Sequence, residues 1–260
     1  MAIAAISCAA QTDSADDRAG LLERARHIAL EYSRTLPDFL CNETIRRSVA
    51  WPPRGLWASV DTLTVLVSYF HEKETYKLLQ KGGHATNQSY EAVAGATTAG
   101  EFGSTLRWIF DPESQADFRF DKFTGRRRAA IFRYRVAAGN SRYEILSGAA
   151  AVFAGYHGEV EIDGATAHVQ RVTMTADLPA GFPIRESSTT IEYGTVRLEG
   201  REYLLPVRAE VLAADVPHGE ATPPVPSTPA FGPPAVTRYR NQIDFHDYRK
   251  FTVDSQLIVQ

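Results

Sequence analysis

The chain has 260 residues, of which 44% are hydrophobic, 10% aromatic and 23% charged. These proportions are those of a folded globular protein and exclude a disordered tail or a coiled coil. Lysine and arginine total 28 against 31 aspartates and glutamates, so the formal net charge is -3 and no broad cationic surface is available for nucleic acid. No apolar run approaches the roughly 20 residues of a membrane-spanning helix.

Residues 1–14 resemble the second half of a secretory signal peptide. A short apolar run is followed by the small residues Ser7 to Ala10 and then by the polar residues Gln11 to Ser14, although a positively charged start is missing. We expect a periplasmic or secreted protein with a single β-rich domain over residues 15–260, and cytoplasmic residence is the alternative. Because Cys8 follows Ala5-Ile6-Ser7 in a lipobox-like order, lipid anchoring through Cys8 is a weaker second expectation.

An amphipathic helix is predicted after Ser14, running towards Pro37. Ser14 is a suitable N-cap, and Asp17 stands three residues later as in a capping box. Apolar residues then recur at helical spacing on one face, which we expect to pack on the protein's own core. They are Leu21, Leu22, Ala25, Ile28, Ala29 and Tyr32.

Beyond Phe39 the pattern changes to the two-residue period of β-strands. One strand is predicted where Leu63, Val65, Val67 and Tyr69 alternate with Thr62, Thr64, Leu66 and Ser68. The segment from Glu74 to Gln80 is predicted as its hairpin partner, with a turn at Gly82-Gly83. A second helix is predicted from Thr98 to Phe110, and Asp111-Pro112 ends it. In that helix Phe102, Leu106, Ile109 and Phe110 fall on one face.

The rest of the chain is predicted to be strands joined by short turns. The strands span 130–137, 142–146, 157–162, 167–176, 188–193, 195–198, 203–212, 239–251 and 255–259. Turns are predicted at Asp163-Gly164, Tyr193-Gly194 and Glu199-Gly200. Residues 216–236 hold half of the 14 prolines and are predicted to be an exposed loop, because proline cannot donate to a strand ladder.

These elements predict an α+β fold. Short connections without intervening helices favour a long antiparallel β meander over a parallel sheet. Such a sheet twists as it grows, so we expect a curved, incompletely closed barrel. The N-terminal helix and the second, short helix are expected to cover it.

Signatures of catalysis, nucleotide binding and metal binding were sought and not found. His71-Glu72-Lys73-Glu74 is predicted to be a solvated strand end with His71 and Lys73 on one face. Asp244 and His246 share a face of the last long strand and are interpreted as an exposed charged pair. The sequence therefore predicts no enzyme, no catalytic residues, no metal ligands and no cofactor.

Four short segments resemble an uncharacterised set of exported β-rich proteins of acidobacterial type. The segments are residues 36–41, 155–163, 203–206 and 248–251. The order of helices and strands is also similar to the LolA/LolB-type lipoprotein-carrier fold, an incomplete antiparallel barrel whose concave side is covered by helices. In that family the concave side holds an acyl chain.

The resemblance implies an exported, non-enzymatic protein that binds an apolar or lipidated ligand on the concave face of the sheet. A concave face could equally be filled by its own side chains, and the sequence leaves both readings open. The residues expected to line the ligand site are Val65, Val67, Tyr69, Phe102, Leu106 and Phe110.

Two other functions are compatible with the sequence. The first is a structural or interaction module of the cell envelope, which would engage another protein through a sheet edge or the proline-rich loop. The second is a hydrolase with an unrecognised site, for which Asp244 and His246 are the candidates.

Overall fold

The computed structural model describes residues 14–52, 55–93, 95, 97, 100–124, 129–215 and 236–250. Three predicted features lie outside these residues. They are the signal-like segment with Cys8, the proline-rich segment from residue 216 to 235, and the strand over 255–259.

Helix α1 spans Ala15–Thr35 and confirms the first predicted helix. The capping box is present, since the Asp17 N–H donates to Ser14 Oγ at 3.1 Å and the Ser14 N–H donates to Asp17 Oδ2 at 3.2 Å. The helix ends at Leu36, whose backbone is extended as expected before Pro37.

Helix α2 spans Ser104–Phe110 and is shorter than the helix predicted over 98–110. Gly100 has a φ of +101°, which a right-handed helix does not allow, so the helical turns begin only after it. Asp111 ends the helix in front of Pro112, as predicted. In the described part of the chain, neither helix combines the length and the apolar content needed to cross a membrane.

The strands follow in chain order. They are β1 (Phe39–Ala50), β2 (Trp57–Phe70), β3 (Lys73–Lys81), β4 (His84–Ala85), β5 (Asp117–Thr124), β6 (Ala129–Val136), β7 (Glu144–Ser147), β8 (Ala150–Phe153), β9 (Gly155–Ile162), β10 (Val169–Asp177), β11 (Ile184–Leu198), β12 (Arg201–Asp215) and β13 (Thr237–Lys250).

Among the described residues, 11 strands form one sheet in the order β4-β3-β2-β1-β13-β12-β11-β10-β9-β6-β5. Each neighbouring pair is antiparallel, and β7 and β8 form a separate hairpin. The last strand that the structure describes, β13, returns to lie beside β1 near the middle of the sheet. Because β4 and β5 stay as edges, the sheet is curved but not closed, which confirms the predicted fold class.

The turn between β2 and β3 differs from the prediction. It is made by His71 and Glu72, with φ values of 51° and 60°, and Gly82-Gly83 forms the next turn, into β4. His71 therefore lies in a turn rather than on a strand, and it shares no strand face with Lys73. Two consecutive left-handed residues suit a tight hairpin between right-twisted strands.

A second difference concerns Tyr193-Gly194, which was expected to be a turn. The pair lies inside β11, which is one strand of 15 residues. A Cβ at Gly194 would come within 2.8 Å of Val207 Cγ1, so glycine is needed there for a close side chain on the neighbouring strand. The turns at Asp163-Gly164 and Glu199-Gly200 are present.

Helices α1 and α2 contact each other and cover one face of the sheet, called the inner face from here on. Every second side chain of the central strands points to this face. The core is continuous from Leu21 and Ala29 of α1 through Ile109 of α2 to Ile45 and Leu205 of the sheet. A ligand on the inner face would therefore lie between the sheet and the helices.

Candidate ligand-binding site on the inner face

The six residues predicted to line a ligand site all belong to the buried core beneath the helices. Val65, Val67 and Tyr69 alternate along β2 on the inner face, Phe102 and Leu106 lie in the turn before α2 and on α2, and Phe110 of α2 stacks on Phe118 of β5 with ring centroids 5.4 Å apart. Each of the six is at most 2% exposed. They form an apolar wall that is covered in this conformation.

Aromatic rings join the two halves of this wall. Phe39 of β1 stacks on Tyr69 with ring centroids 5.2 Å apart, and it meets the edge of Phe102 at 5.3 Å. Phe102 also packs edge-to-face on Phe245 of β13 at 5.4 Å. Such contacts add to the free energy gained by burying the rings and hold Phe102 against the sheet.

Three glutamates lie within this apolar region, and sequence reasoning missed them. Glu43 is 2% and Glu101 3% exposed, which is rare for carboxylates. Glu43 alternates with Cys41 and Ile45 on the inner face of β1. Glu74 pairs with Tyr69 across the β2–β3 ladder, and Glu101 lies in the turn before α2. We call Glu43, Glu74 and Glu101 the glutamate cluster.

A tyrosine and a backbone amide connect two members of the glutamate cluster. Tyr76 Oη lies 2.5 Å from Glu74 Oε2 and 3.0 Å from Glu101 Oε2. The Gly100 N–H donates to Glu74 Oε2 at 2.9 Å. Because a phenol has one proton, it can donate to only one of the two carboxylates, and the other contact is a hydrogen bond only if that carboxyl is protonated. Both contacts are therefore hydrogen bonds at the same time only when one of the two carboxyls is protonated.

Three buried polar atoms near the cluster have no hydrogen-bond partner among the described residues: Glu43 Oε1, Tyr32 Oη and Tyr193 Oη. The rings of Tyr32, on α1, and Tyr193, on β11, meet edge-on with centroids 6.3 Å apart. Buried polar groups in folded proteins nearly always have a partner, so three unpaired groups in one region need an explanation.

Burial and mutual repulsion raise the pKa values of the carboxyls. Burial first, and then the charge of Glu101, raise the pKa of Glu74 to about 7. Burial followed by the charges of Glu101 and Glu74 raises the pKa of Glu43 well above its usual range. Burial also raises the pKa of Tyr193, with smaller effects from Glu101 and Glu74, so the Tyr193 phenol lies within electrostatic reach of the cluster. The region therefore accommodates negative charge poorly without a proton or a cation.

In the described part of the chain, no three histidine, cysteine, aspartate or glutamate side chains are arranged to hold a metal ion. The cluster carboxyls interact through their charges but do not form a metal cage. They could instead surround a larger group that donates several hydrogen bonds.

No protein-family model matches this chain, and no curated protein matches it either. One solved structure with a similar chain path is the crystal structure of a DUF1329 family protein from Desulfovibrio piger ATCC 29098. The two are 9% identical, and the alignment covers 89% of this chain and 94% of the other at a TM-score of 0.43.

Asp244 and His246 lie on the outer face and bind other partners. Asp244 accepts from Arg46 Nη2 at 2.5 Å. His246 contacts Thr44 Oγ1 through Nε2 at 2.9 Å and Asp247 Oδ2 through Nδ1 at 2.8 Å. Asp244 and His246, which were interpreted as an exposed charged pair, are thus each bound to other residues.

A groove of about 550 Å³ also lies on the outer face. Three arginines and three acidic residues line it: Arg46, Arg171, Arg208, Glu192, Glu210 and Asp244. The three positive and three negative side chains balance, and Arg46 is already paired with Asp244. The groove therefore favours neither a cationic nor an anionic ligand.

Proposed function

We propose that this protein is an exported, non-enzymatic binding protein that holds an apolar or lipidated ligand on the concave inner face of its sheet, beneath α1 and α2. The observation that supports this function is the set of unpaired polar atoms, Glu43 Oε1, Tyr32 Oη and Tyr193 Oη, inside an apolar wall. An interior built only for packing would pair or omit such groups. The likeness to lipoprotein carriers and the signal-like residues 1–14 agree with a periplasmic or secreted carrier.

The ligand enters beside α2. This helix has seven residues and is tied to the β2–β3 turn by an ion pair between Arg107 and Glu72, whose N···O distance is 2.8 Å. The two side chains are 40% and 48% exposed, so the pair contributes little to stability. Movement of α2 would carry Leu106 and Phe110 away from the sheet and open the apolar wall to the ligand.

The function is tested by purifying the protein from cells and analysing bound material by native mass spectrometry. Titration with the neutral fluorescent probe N-phenyl-1-naphthylamine is the second measurement. We expect a copurified apolar molecule and saturable binding of the probe. If the purified protein carries no such molecule and does not bind the probe, the function is wrong.

Two substitutions on β2 separate the inner face from the outer one. Val67→Phe adds volume to the apolar wall, whereas Leu66→Phe adds the same ring to the opposite face of the same strand. We expect Val67→Phe to weaken probe binding and Leu66→Phe to leave it unchanged. Circular dichroism and gel filtration check that both variants are folded.

An interaction module of the envelope is the second candidate function, and one observation favours it. Near the β1–β2 connection, Trp51 is 52%, Leu56 73% and Val60 53% exposed. Clustered exposed apolar side chains commonly mark protein contact sites. Under this alternative, a Trp51→Ser and Leu56→Ser double variant would lose its envelope partner while the fold stays intact.

A further inference from the structure

We propose that the glutamate cluster binds the positively charged nitrogen of an amphiphilic ligand, so that the ligand is a long-chain organic ammonium rather than a fatty acid or a neutral lipid. This inference rests on the proposed function and names the ligand class of that same site. Its basis is the burial of Glu43 and Glu101, with Glu74 half-buried beside them, next to unpaired hydroxyls that come from other elements.

The charges near the cluster favour a cation. The charged groups that most affect the Glu43 carboxyl are Glu101 and Glu74, both of which are negative when ionised and raise the Glu43 pKa. Without a cation, such a group stays protonated, because ionised carboxylates are destabilised in an apolar interior. An ammonium group among the three carboxyls would let them ionise and form charge-assisted hydrogen bonds.

The unpaired atoms match the hydrogen-bonding capacity of an ammonium group. A primary ammonium has three N–H donors and no acceptor. Glu43 Oε1, Tyr193 Oη and Tyr32 Oη can each accept a hydrogen bond, and each belongs to a side chain that is at least nine-tenths buried. They come from β1, β11 and α1, so they would surround the nitrogen from different sides.

The apolar surroundings match the ligand's chain. On β1, Glu43 lies opposite Val65 of β2 and opposite Phe245 of β13. The Phe245 ring in turn packs on Phe102 beneath α2. A head group at Glu43 would therefore place its chain along side chains that bind apolar groups, in the space uncovered when α2 moves. A bare metal ion has no apolar chain that could contact this wall.

The test compares three probes with the same chain length: dodecylammonium, dodecanol and dodecanoate, each below its micelle concentration at pH 7.5. Displacement of N-phenyl-1-naphthylamine from the full chain gives the three dissociation constants. We expect dodecylammonium to bind at least about tenfold more tightly than either other probe, because buried charge-assisted hydrogen bonds are strong. The mass of copurified material then distinguishes a free long-chain amine from an aminolipid.

The variants Glu43→Gln and Glu74→Gln test the assignment of the head-group site. Both are expected to reduce the preference for dodecylammonium over dodecanol towards onefold, without weakening dodecanol binding. Glu210→Gln, in the outer-face groove, is the matched control and should retain the full preference.

The outcomes separate the two proposals. If dodecanol and dodecylammonium bind equally well to the wild-type protein, or if dodecanoate binds best, the ammonium site is wrong and the carrier function stands. If none of the three probes binds, both proposals fail. The wild-type comparison does not depend on any variant, so a variant that does not fold leaves the test decisive.

Discussion

Glu74 is a carboxyl that the folded protein holds more easily in its protonated form. The charged group that most affects its pKa is Glu101, and Tyr76 lies against both carboxyls. Burial and the Glu101 charge raise the Glu74 pKa from 4.5 to about 7. The titratable side chains that face this region from the surrounding elements include Cys41, Glu43, Tyr69, Tyr76, Glu101, Tyr143, Tyr193, Tyr248 and Tyr32.

The raised Glu74 pKa predicts a stability that falls as the pH rises. Between pH 4.5 and about 7 the folded state binds a proton that the unfolded state has lost, so the free energy of unfolding decreases across this window and is constant above it. Between pH 4.5 and about pH 7, the free energy of unfolding of the wild-type protein should fall by about 3 kcal/mol more than that of Glu74→Gln. Urea unfolding at several pH values measures the difference. Parallel curves for the two proteins would contradict the prediction, and Glu210→Gln should follow the wild-type curve.

Gly158 shows how closely the sheet is packed at one residue. A Cβ built at this position of β9 would lie 1.9 Å from the carbonyl oxygen of Thr173 on β10. We expect Gly158→Ala to lower the free energy of unfolding by about 3 kcal/mol, because two backbones would have to separate. Gly139→Ala, with nothing within 4 Å of the added carbon, is the control and should change stability little. Equal thermal unfolding midpoints for Gly158→Ala and the wild-type protein would refute this prediction.

The glutamate cluster shows what single-residue patterns could and could not predict. One signal was present, since Glu43 interrupts the apolar positions Cys41 and Ile45 on one face of β1. A glutamate at such a position is either exposed or functional. Nothing local connects Glu43 with Glu74 or Glu101, because the three come together only through the pairing of β1, β2 and β3 and the placement of the turn before α2.

Helix α2 is short and is tied to the sheet by its packing and by a hydrogen bond that Tyr156 Oη of β9 donates to the Trp108 carbonyl oxygen at 2.7 Å. It has no side-chain N-cap, and its outer side is held by exposed ionic contacts such as Arg107 with Glu72. Its inner side is apolar and fully covered by the core. Short helices derive most of their stability from packing, so a ligand that displaces α2 has to replace this packing and the Tyr156 hydrogen bond.

Arg107→Ala should therefore change rates more than stability. Loss of an exposed ion pair costs at most about 0.5 kcal/mol, and we expect the probe to bind about twofold faster because α2 opens more readily. Arg119→Ala removes a similarly exposed pair, with Asp117 on β5, and should leave the rate unchanged. Stopped-flow fluorescence with N-phenyl-1-naphthylamine measures both rates. A wild-type rate for Arg107→Ala would argue against entry beside α2.

Elements with strong periodicity were predictable, and tight turns were not. The capping box and apolar stripe of α1 are local signals, and the structure retains both. The His71-Glu72 turn contains no glycine, and its two positive φ values are imposed by the pairing of β2 with β3. Conversely, Gly194 looked like a turn residue but serves a contact with Val207 of the neighbouring strand. Such requirements are set by tertiary contacts.

The described part of the molecule is built on one curved sheet, in which the first and last described strands, β1 and β13, lie side by side near the middle. The pairing of β13 with β1 gives the sheet this order, and it joins residues about 200 positions apart, such as Thr44 and Asp244. The edges are poor templates for further strands, since β4 has two residues and β5 carries a bulge between Phe120 and Lys122. The strand pattern was enough to predict an antiparallel sheet. No local sequence signal indicated that β13 pairs with β1.

The hairpin of β12 and β13 allows the two candidate functions to be separated. Asp215 and Thr237 are direct partners at its end, so residues 216–236 can be replaced by Asn-Gly, which forms a two-residue hairpin turn. We expect the replaced protein to fold with a melting temperature close to that of the wild type, because the sheet register is unchanged. If the protein is a carrier, dodecylammonium should bind with its wild-type affinity. If it is an interaction module that uses the proline-rich segment, cross-linking to its envelope partner should be lost while ligand binding, where present, is kept.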